Sequence, residues 1–512
     1  MIWSSGGLDR TLGVTLVAGA GLAAAVSIGW LASQGNPLLF VVSLIPAAAF
    51  AAFIIAPRPV WLLWCAVLGG LVIAGAFQLY IPQLQRVRWL LMPIATVLAL
   101  QGLWEISGKR GTQDPQPTPS VLWWCLAFLA AVTITTASSP FVAERFSIAF
   151  KGYFQLWGLL IALTFIAWPA GTIDRLPRAF LGIALLQLPF VLHQLLVLVP
   201  RRVGMGGGIV PVDIVAGTFG ASLEGGGANA LLNAFLIIVI AGLLAARQYG
   251  VISLTRFFVF FVPVAIPIFV NSAKVSVLYL IAVFAVLYGK DLVERPLRFL
   301  AATFAMTLLL LVVLIALVLG AHNTERVGTV SDLIRFTYEY NIANDEVGDS
   351  LSRTGALEFW ADRHGRADIK GTLIGHGIGY TRVADVETPY RETVRATVNG
   401  VPVNIDIAQN IGNTGVAALL WETGVFGLFC ILGLFAATFR SAGRLEQRHR
   451  HVPERAAAFR AIRAAAVVMI IMLMHKNSIV YDAAYQTLIM IIIGFTAYWE
   501  RQGDHQGAAN GP

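Results

Sequence analysis

Charge is what this sequence has least of. Only 12% of its 512 residues are Asp, Glu, Lys or Arg, against about 25% in an ordinary soluble chain. That scarcity excludes a water-facing globular surface over most of the length. Cysteine is scarce too: Cys65, Cys125 and Cys430 are the three, all within apolar stretches. They give neither a disulfide framework nor a CxxC metal motif. The segments expected outside the membrane carry no DxD-like acidic cluster of the kind that holds Mg²⁺, and no nucleotide-binding signature stands out, so no metal and no cofactor is expected. Before the first apolar block, Leu12–Ala32, a strongly basic lead-in is missing; only Asp9 and Arg10 precede it. That block is read as a retained span, not a cleaved signal.

What the chain does have is apolar surface, 57% hydrophobic residues with a mean hydropathy of +0.74. Blocks recur near 12–32, 37–56, 60–79, 89–105, 120–138, 150–169, 178–199, 229–246, 253–270, 273–289, 298–320, 412–439, 461–475 and 479–498. Most approach the ~20 residues that cross ~30 Å of hydrocarbon as a helix. They are continuous and not alternating, which excludes a β-barrel. The expected fold is an all-α multipass membrane protein of 12–14 spans, since one pair is tight and 461–475 is short. It divides into an N-terminal bundle of about eleven spans (1–320), a long loop (321–411) and the C-terminal spans with a short tail (412–512).

Basic residues orient such a chain, because short loops rich in Lys and Arg stay cytoplasmic. With the N-terminus inside, inner segments hold nineteen of the thirty-six, seven of them between Arg440 and Arg463. Short outer loops hold eight: Arg86, Arg88, Arg145, Lys151, Arg201, Arg202, Lys274 and Lys476. The remaining nine lie in 321–411. Both termini are therefore expected in the cytoplasm, and 321–411 on the far face, the periplasm if the membrane is a bacterial inner membrane. The net charge of +8 sits mostly where anionic lipid attracts it, so the bilayer is its partner and nucleic acid is not. The outer cations oppose the topology bias, which points to an anionic ligand at the outer face.

The loop has its own order. SDLIRFTYEYNI and SRTGALEFWADRH place apolar residues at helical spacing, anchored by Phe359 and Trp360. VRATVNGVPVNID reads as a β-hairpin turning at Asn399-Gly400. Between them GTLIGHGIGY carries four glycines, which would let backbone N–H groups approach a ligand or simply form a turn-rich connector. After the loop a polar lip, AQNIGN, opens an apolar helix that contains Glu422, and an acid within a span is expensive enough to be a hint of function.

In order and spacing these features resemble the O-antigen ligase and O-antigen polymerase superfamily of membrane glycosyltransferases. The series is Arg353 and Trp360 in SRTGALEFW, then GHGIGY, then AQN, then WETGVFG. Upstream, GTFGASLEGGGANALLNAFL resembles the family's glycine-rich entry to a helix, with Asn229 at its start. NSAKVSVLYL resembles its Ser-Arg-small motif, with Lys274 in the arginine's place. The resemblance spans roughly 210–500. It implies transfer of a glycan from a polyprenyl-pyrophosphate-linked oligosaccharide to an acceptor glycan hydroxyl at the outer face, without metal and alongside other polysaccharide-assembly proteins. It also implies catalytic roles for Arg353, His376, Gln409 and Glu422. Substrate contacts would come from Lys274, Arg201, Arg202, Asn229, Trp360 and Asn410. The family's ligases carry a histidine where this chain has Gln409, and Gln takes no proton at neutral pH. That tilts the reading to a repeat-unit polymerase, with Gln409 positioning the acceptor or a base coming from His376, Asp406 or Glu422. Ligase-type transfer to a lipid or other acceptor stays open. So does a transporter or flippase for lipid-linked sugars, although no paired repeat with broken helices is visible.

Overall fold

The computed structural model describes residues 58–108, 118–205, 211–223, 226–271, 273–321, 331, 338, 352–365, 368–381, 391–398, 401–408 and 411–502. The blocks at 12–32 and 37–56, the turn at Asn399-Gly400, the lip residues Gln409 and Asn410, and nearly all of SDLIRFTYEYNI lie outside them.

Apolar runs become helices because a helix satisfies its own backbone where no water can. The helices are α1 (Pro59–Tyr80), α2 (Leu91–Gly108), α3 (Ser120–Ser138), α4 (Ala143–Phe154), α5 (Trp157–Phe165), α6 (Leu176–His193), α7 (Asn229–Gln248), α8 (Leu254–Val270), α9 (Ser276–Tyr288) and α10 (Pro296–Ala321). After these come α11 (Arg353–Arg363), α12 (Ile369–Ile374), α13 (Gly415–Arg448), α14 (Pro453–His475) and α15 (Ala483–Arg501). Among the described residues, eight helical stretches are long and apolar enough to cross a membrane, and 254–270, 276–288 and 299–308 are shorter apolar helices. The chain is thus an all-α membrane-embedded protein. The short block at 461–475 is the end of a longer helix, because Pro453 starts α14 eight residues earlier.

Burial sorts the helices. Of the most apolar window of α7, 78% is buried inside the protein, against 67% for α13 and 61% for α14, but only 33% for α3. The outer helices keep apolar faces outward, as lipid allows. Helix α13 packs on α14 and α3, α7 on α14, and α15 on α5. One apolar core therefore runs from Leu63 to Trp499, and the C-terminal helices are inserted into the N-terminal bundle instead of standing beside it.

Two small antiparallel pairings complete the fold. Strands β1 (Ala221–Ser222) and β2 (Gly226–Gly227) lie before α7. Strands β3 (Arg391–Val398) and β4 (Val401–Ala408) pair with Val398 opposite Val401.

Contacts define two ends of the bundle. At one, Ser120 meets Ser441 (3.0 Å), Arg455 meets Asp174 (3.1 Å) and Tyr249 meets Glu446 (2.8 Å). We call this the arginine end. At the other, the loop end, Thr135 of α3 meets the loop at Gly377 (3.0 Å) and Asn477 meets Gly412 (3.1 Å).

Candidate functional site

A buried non-helical stretch prepares the loop end. Residues 214–221 are all buried, and irregular backbone at that depth needs internal partners. Two fully buried glutamines supply them. Gln194 accepts from the N–H groups of Ala216 (3.0 Å) and Gly217 (2.8 Å) and donates to the Gly217 carbonyl (2.7 Å). Gln187 accepts from the Thr218 N–H (2.8 Å), while the Thr218 hydroxyl donates to the Leu71 carbonyl (2.8 Å). Gly75 gives this stretch room: a Cβ there would come within 2.2 Å of the Thr218 carbonyl oxygen.

The stretch presents Asp213 to a set of cations. Asn229, at the start of α7, donates to Asp213 Oδ1 (3.3 Å) and to the Asn271 carbonyl (3.1 Å). Asn233 donates to Asn271 (2.8 Å) and Ser276 (2.6 Å), which fixes the turn carrying Lys274 between α8 and α9. Burial pushes the Asp213 carboxyl above the usual range, and nearby Arg202, the Asn229 amide, Lys476 and Lys274 oppose the rise. Burial pulls Lys274 down to about 8, with Asp213 raising it and Arg353 lowering it further. Arg353 donates from Nε to the His475 carbonyl (2.7 Å). Lys274, Lys476 and Arg202 thus gather around Asp213, from segments up to 274 residues apart in sequence, and Arg353 stands beside Lys274.

The helices that frame this cluster point their N-termini at it. Ser352 caps α11 by accepting from Gly355 N–H (2.9 Å), Thr414 caps α13 through Ala417 N–H (3.0 Å), and Asp482 caps α15 through Ala484 N–H (2.9 Å). Asn477 N–H reaches the Asn413 carbonyl (3.2 Å), and the Asn413 amide reaches the Ser352 carbonyl (3.5 Å), so the starts of α11 and α13 and the end of α14 form one junction. Helix N-termini carry partial positive charge, which adds to that of the side chains.

A second cluster lies at the other end of α11. Helix α13 is broken at Gly424, whose φ of 65° and ψ of −170° leave the helical region. The break leaves two carbonyls to satisfy, and the glycine-rich segment does so. His376 N–H donates to the Trp421 carbonyl (2.9 Å), Gly377 N–H to that of Glu422 (3.1 Å), and Thr135 Oγ1 also to that of Glu422 (2.9 Å). The backbones touch: a Cβ at Gly424 would lie 2.4 Å from Leu373 C, and one at Gly375 would lie 2.6 Å from Glu422 C. Of the two readings open for this glycine-rich segment, a ligand cradle or a connector, the N–H groups of His376 and Gly377 serve the second, being spent on the helix break.

Glu422 is enclosed by the same geometry. It is 1% exposed and accepts from Thr381 through the hydroxyl (2.5 Å) and N–H (3.2 Å). A carboxylate so enclosed holds Thr381 at the end of the glycine-rich segment. It also forms no ion pair with Lys476. Trp360 stands apart from Arg353. It lies seven residues beyond Arg353, about 10 Å along the helix, and stacks on His364 (4.9 Å, 19°). His376 stands with His364, at 2.8 Å between their Nε2 atoms, and not with Arg353.

Of the expected binding residues, the structure brings together Arg353, Lys274, Arg202 and Asn229. Arg201 is exposed, whereas Arg202 beside it is buried. Lys476, Asp213 and His364 were not singled out from sequence. Lys476 carried a signal, as one of the outer cations against the topology bias. Among the others, Lys151 covers Trp89 (3.7 Å) and Arg145 lies over Tyr380 (6.0 Å).

No family model matches the chain, and no curated protein matches it either.

Proposed function

We propose that the chain is a membrane polysaccharide polymerase. It transfers a glycan from a polyprenyl-pyrophosphate carrier to an acceptor sugar hydroxyl at the loop end, which faces the periplasm across a bacterial inner membrane. The carrying observation is the convergence of Arg353, Lys274, Lys476 and Arg202, with the starts of α7, α9, α11, α13 and α15, at one end of an apolar bundle. A lipid-linked pyrophosphate needs that pairing, a hydrocarbon path for the tail and fixed positive charge at the interface. When the acceptor hydroxyl attacks the anomeric carbon, the bond to the phosphate oxygen breaks and negative charge gathers on the leaving pyrophosphate. Arg353 meets that charge with a planar fork, and Lys274 and Lys476 meet it as point charges. Donors already fixed where charge develops lower the barrier by a few kcal/mol. Gln409 and Asn410, which precede Ile411 in sequence, are assigned the positioning of the acceptor. The transfer itself uses no metal.

The test is polymer length on a gel beside membrane abundance by immunoblot. Arg353→Ala should be nearly inactive and Arg353→Lys badly impaired, on the order of a hundredfold in rate or more, at normal abundance. Full-length polymer from Arg353→Ala would refute the role. For orientation, single cysteines at positions 399 and 450 should label from opposite sides of the membrane, and labelling from one side would reject it.

A further inference from the structure

The second cluster holds groups that the transfer does not use. His364 ends α11, Asp368 caps α12, and His376 lies in the turn after α12. Their ligand-type atoms all fall within 4.8 Å of one another. The two imidazoles face each other through Nε2 at 2.8 Å, and Asp368 Oδ2 is 3.8 Å from His376 Nε2.

The surroundings settle which atoms are available. His364 Nδ1 lies 2.8 Å from the Trp360 carbonyl. A carbonyl only accepts, so that nitrogen carries the proton and Nε2 presents its lone pair. A backbone carbonyl on the distal nitrogen is how metal-bound histidines are commonly oriented. Asp368 divides its oxygens: Oδ1 accepts from Gly371 N–H (2.8 Å), which anchors the carboxylate, and Oδ2 turns to the histidines. The rings are clamped, His364 on Trp360 (4.9 Å) and His376 on Tyr380 (4.7 Å). Gly371 closes the floor: a Cβ there would lie 2.1 Å from Asp368 Oδ2 and 2.9 Å from His364 Cδ2. The His364 residue is 4% exposed, while the side chains of His376 and Asp368 are 28% and 38% exposed. One side of the cluster is therefore sealed and the other open.

We propose that His364, Asp368 and His376 bind one divalent transition-metal ion of the zinc class, which braces the α11–α12 segment against the break in α13. Two neutral imidazoles and one carboxylate are the donor set such an ion takes, at ~2.0–2.2 Å per bond. Bonds of that length in a tetrahedral arrangement hold neighbouring ligand atoms about 3.3 Å apart. The two nitrogens need to separate by about 0.5 Å, and the carboxylate to close by about 0.5 Å on His376 and by up to about 1.5 Å on His364. The ion displaces the hydrogen bond between the rings and fills its remaining position with water from the open side. This is a different donor set from the carboxylate cluster that the sequence lacks, and it stands apart from the Arg353 cluster, so the proposal does not rest on the transferase reading.

The test is Co²⁺ titration of tag-free, chelator-stripped, full-length protein in detergent, read by visible d–d absorption and followed by Zn²⁺ competition. One Co²⁺ per chain with an intense low-symmetry spectrum, displaced by Zn²⁺, is expected. Asp368→Asn keeps a good helix cap but loses the anionic ligand, and His376→Gln removes an exposed one. Each should weaken binding by more than the ~10–100-fold typical of losing an outer-shell partner, with far-ultraviolet circular dichroism unchanged. Zn²⁺ should raise the unfolding temperature of the parent protein and of neither variant. No saturable binding by the parent, or equal binding by both variants, overturns the proposal.

Discussion

The two ends of the bundle are both basic, yet they use arginine and lysine in opposite ways. At the arginine end several arginines close on carboxylates. Arg444 meets Glu500 at 2.7 Å, Arg463 meets Glu446 at 2.9 Å, Arg178 meets Glu454 at 2.8 Å, and Arg455 grips Asp174 with two nitrogens at 3.1 and 3.2 Å while lying over Trp499 at 3.9 Å. Those pairs tie the helices of that end to one another. At the loop end, Arg202, Lys274 and Lys476 converge on Asp213 and Arg353 stands beside Lys274, where helix N-termini add partial positive charge. Arginine–carboxylate pairs tie helices together; several cations gathered by a turn that Asn229 and Asn233 fix are suited to a ligand.

Breaking the two ends should therefore have different consequences. The largest effect is expected at the loop end. Lys476→Ala and Lys274→Ala should each slow chain growth by about ten- to a hundredfold, with protein abundance unchanged; reduced abundance at unchanged specific activity would make these lysines structural. Next is the helix break. Gly424→Ala places a Cβ in left-handed backbone against Leu373 and should cost ~2–4 kcal/mol. It should lower the unfolding temperature in detergent and expose the 371–377 segment to protease, and an unchanged protein would mean that the break is not held by this contact.

A smaller effect sharpens the electrostatic contrast. Lys274 is charged below about 8 and loses its proton as pH rises through that value. Donor binding should weaken severalfold between pH 7 and pH 9, with the break shifted upward once the anion is bound. Lys274→Arg stays charged and should flatten the profile; an equally steep profile in that variant would remove Lys274 as its cause. The smallest effect belongs to the arginine end. Arg455→Ala should cost ~1 kcal/mol of stability through the partly buried pair with Asp174 and the contact with Trp499, and leave polymer length as it was. Shortened polymer from a stably inserted Arg455→Ala would erase the distinction between the ends.

The contrast was legible in the sequence to different depths. The helices followed from apolar run lengths, and the Ser-Leu-Ser run ahead of Arg353 contains the cap that starts α11. The outer cations were visible because they oppose the topology bias. Which of them converge was not, since Arg202, Lys274 and Lys476 meet only through a stretch at 214–221 whose burial depends on Gln187 and Gln194 of α6 and the turn after it. The break in α13 was also hidden. WETGVFGLF continues an apolar run, and a lone glycine in such a run is compatible with an unbroken helix. Only the backbone of 371–377 crossing at Gly375 fixes Gly424 in its left-handed conformation. For the same reason Glu422, conspicuous as an acid within a span, was read as chemistry when its partner is Thr381. His364 carried no motif signal, because its partners Asp368 and His376 come to it through two turns.

The central claim is that the charged end of the bundle handles a lipid-linked pyrophosphate. Purified protein in liposomes, supplied with polyprenyl-pyrophosphate-linked repeat units, tests this most directly. The account predicts a ladder of longer lipid-linked chains with release of free polyprenyl pyrophosphate, persisting in chelator and abolished by Arg353→Ala. Repeat units that cross the bilayer without lengthening, or a ladder undiminished in Arg353→Ala, would contradict it.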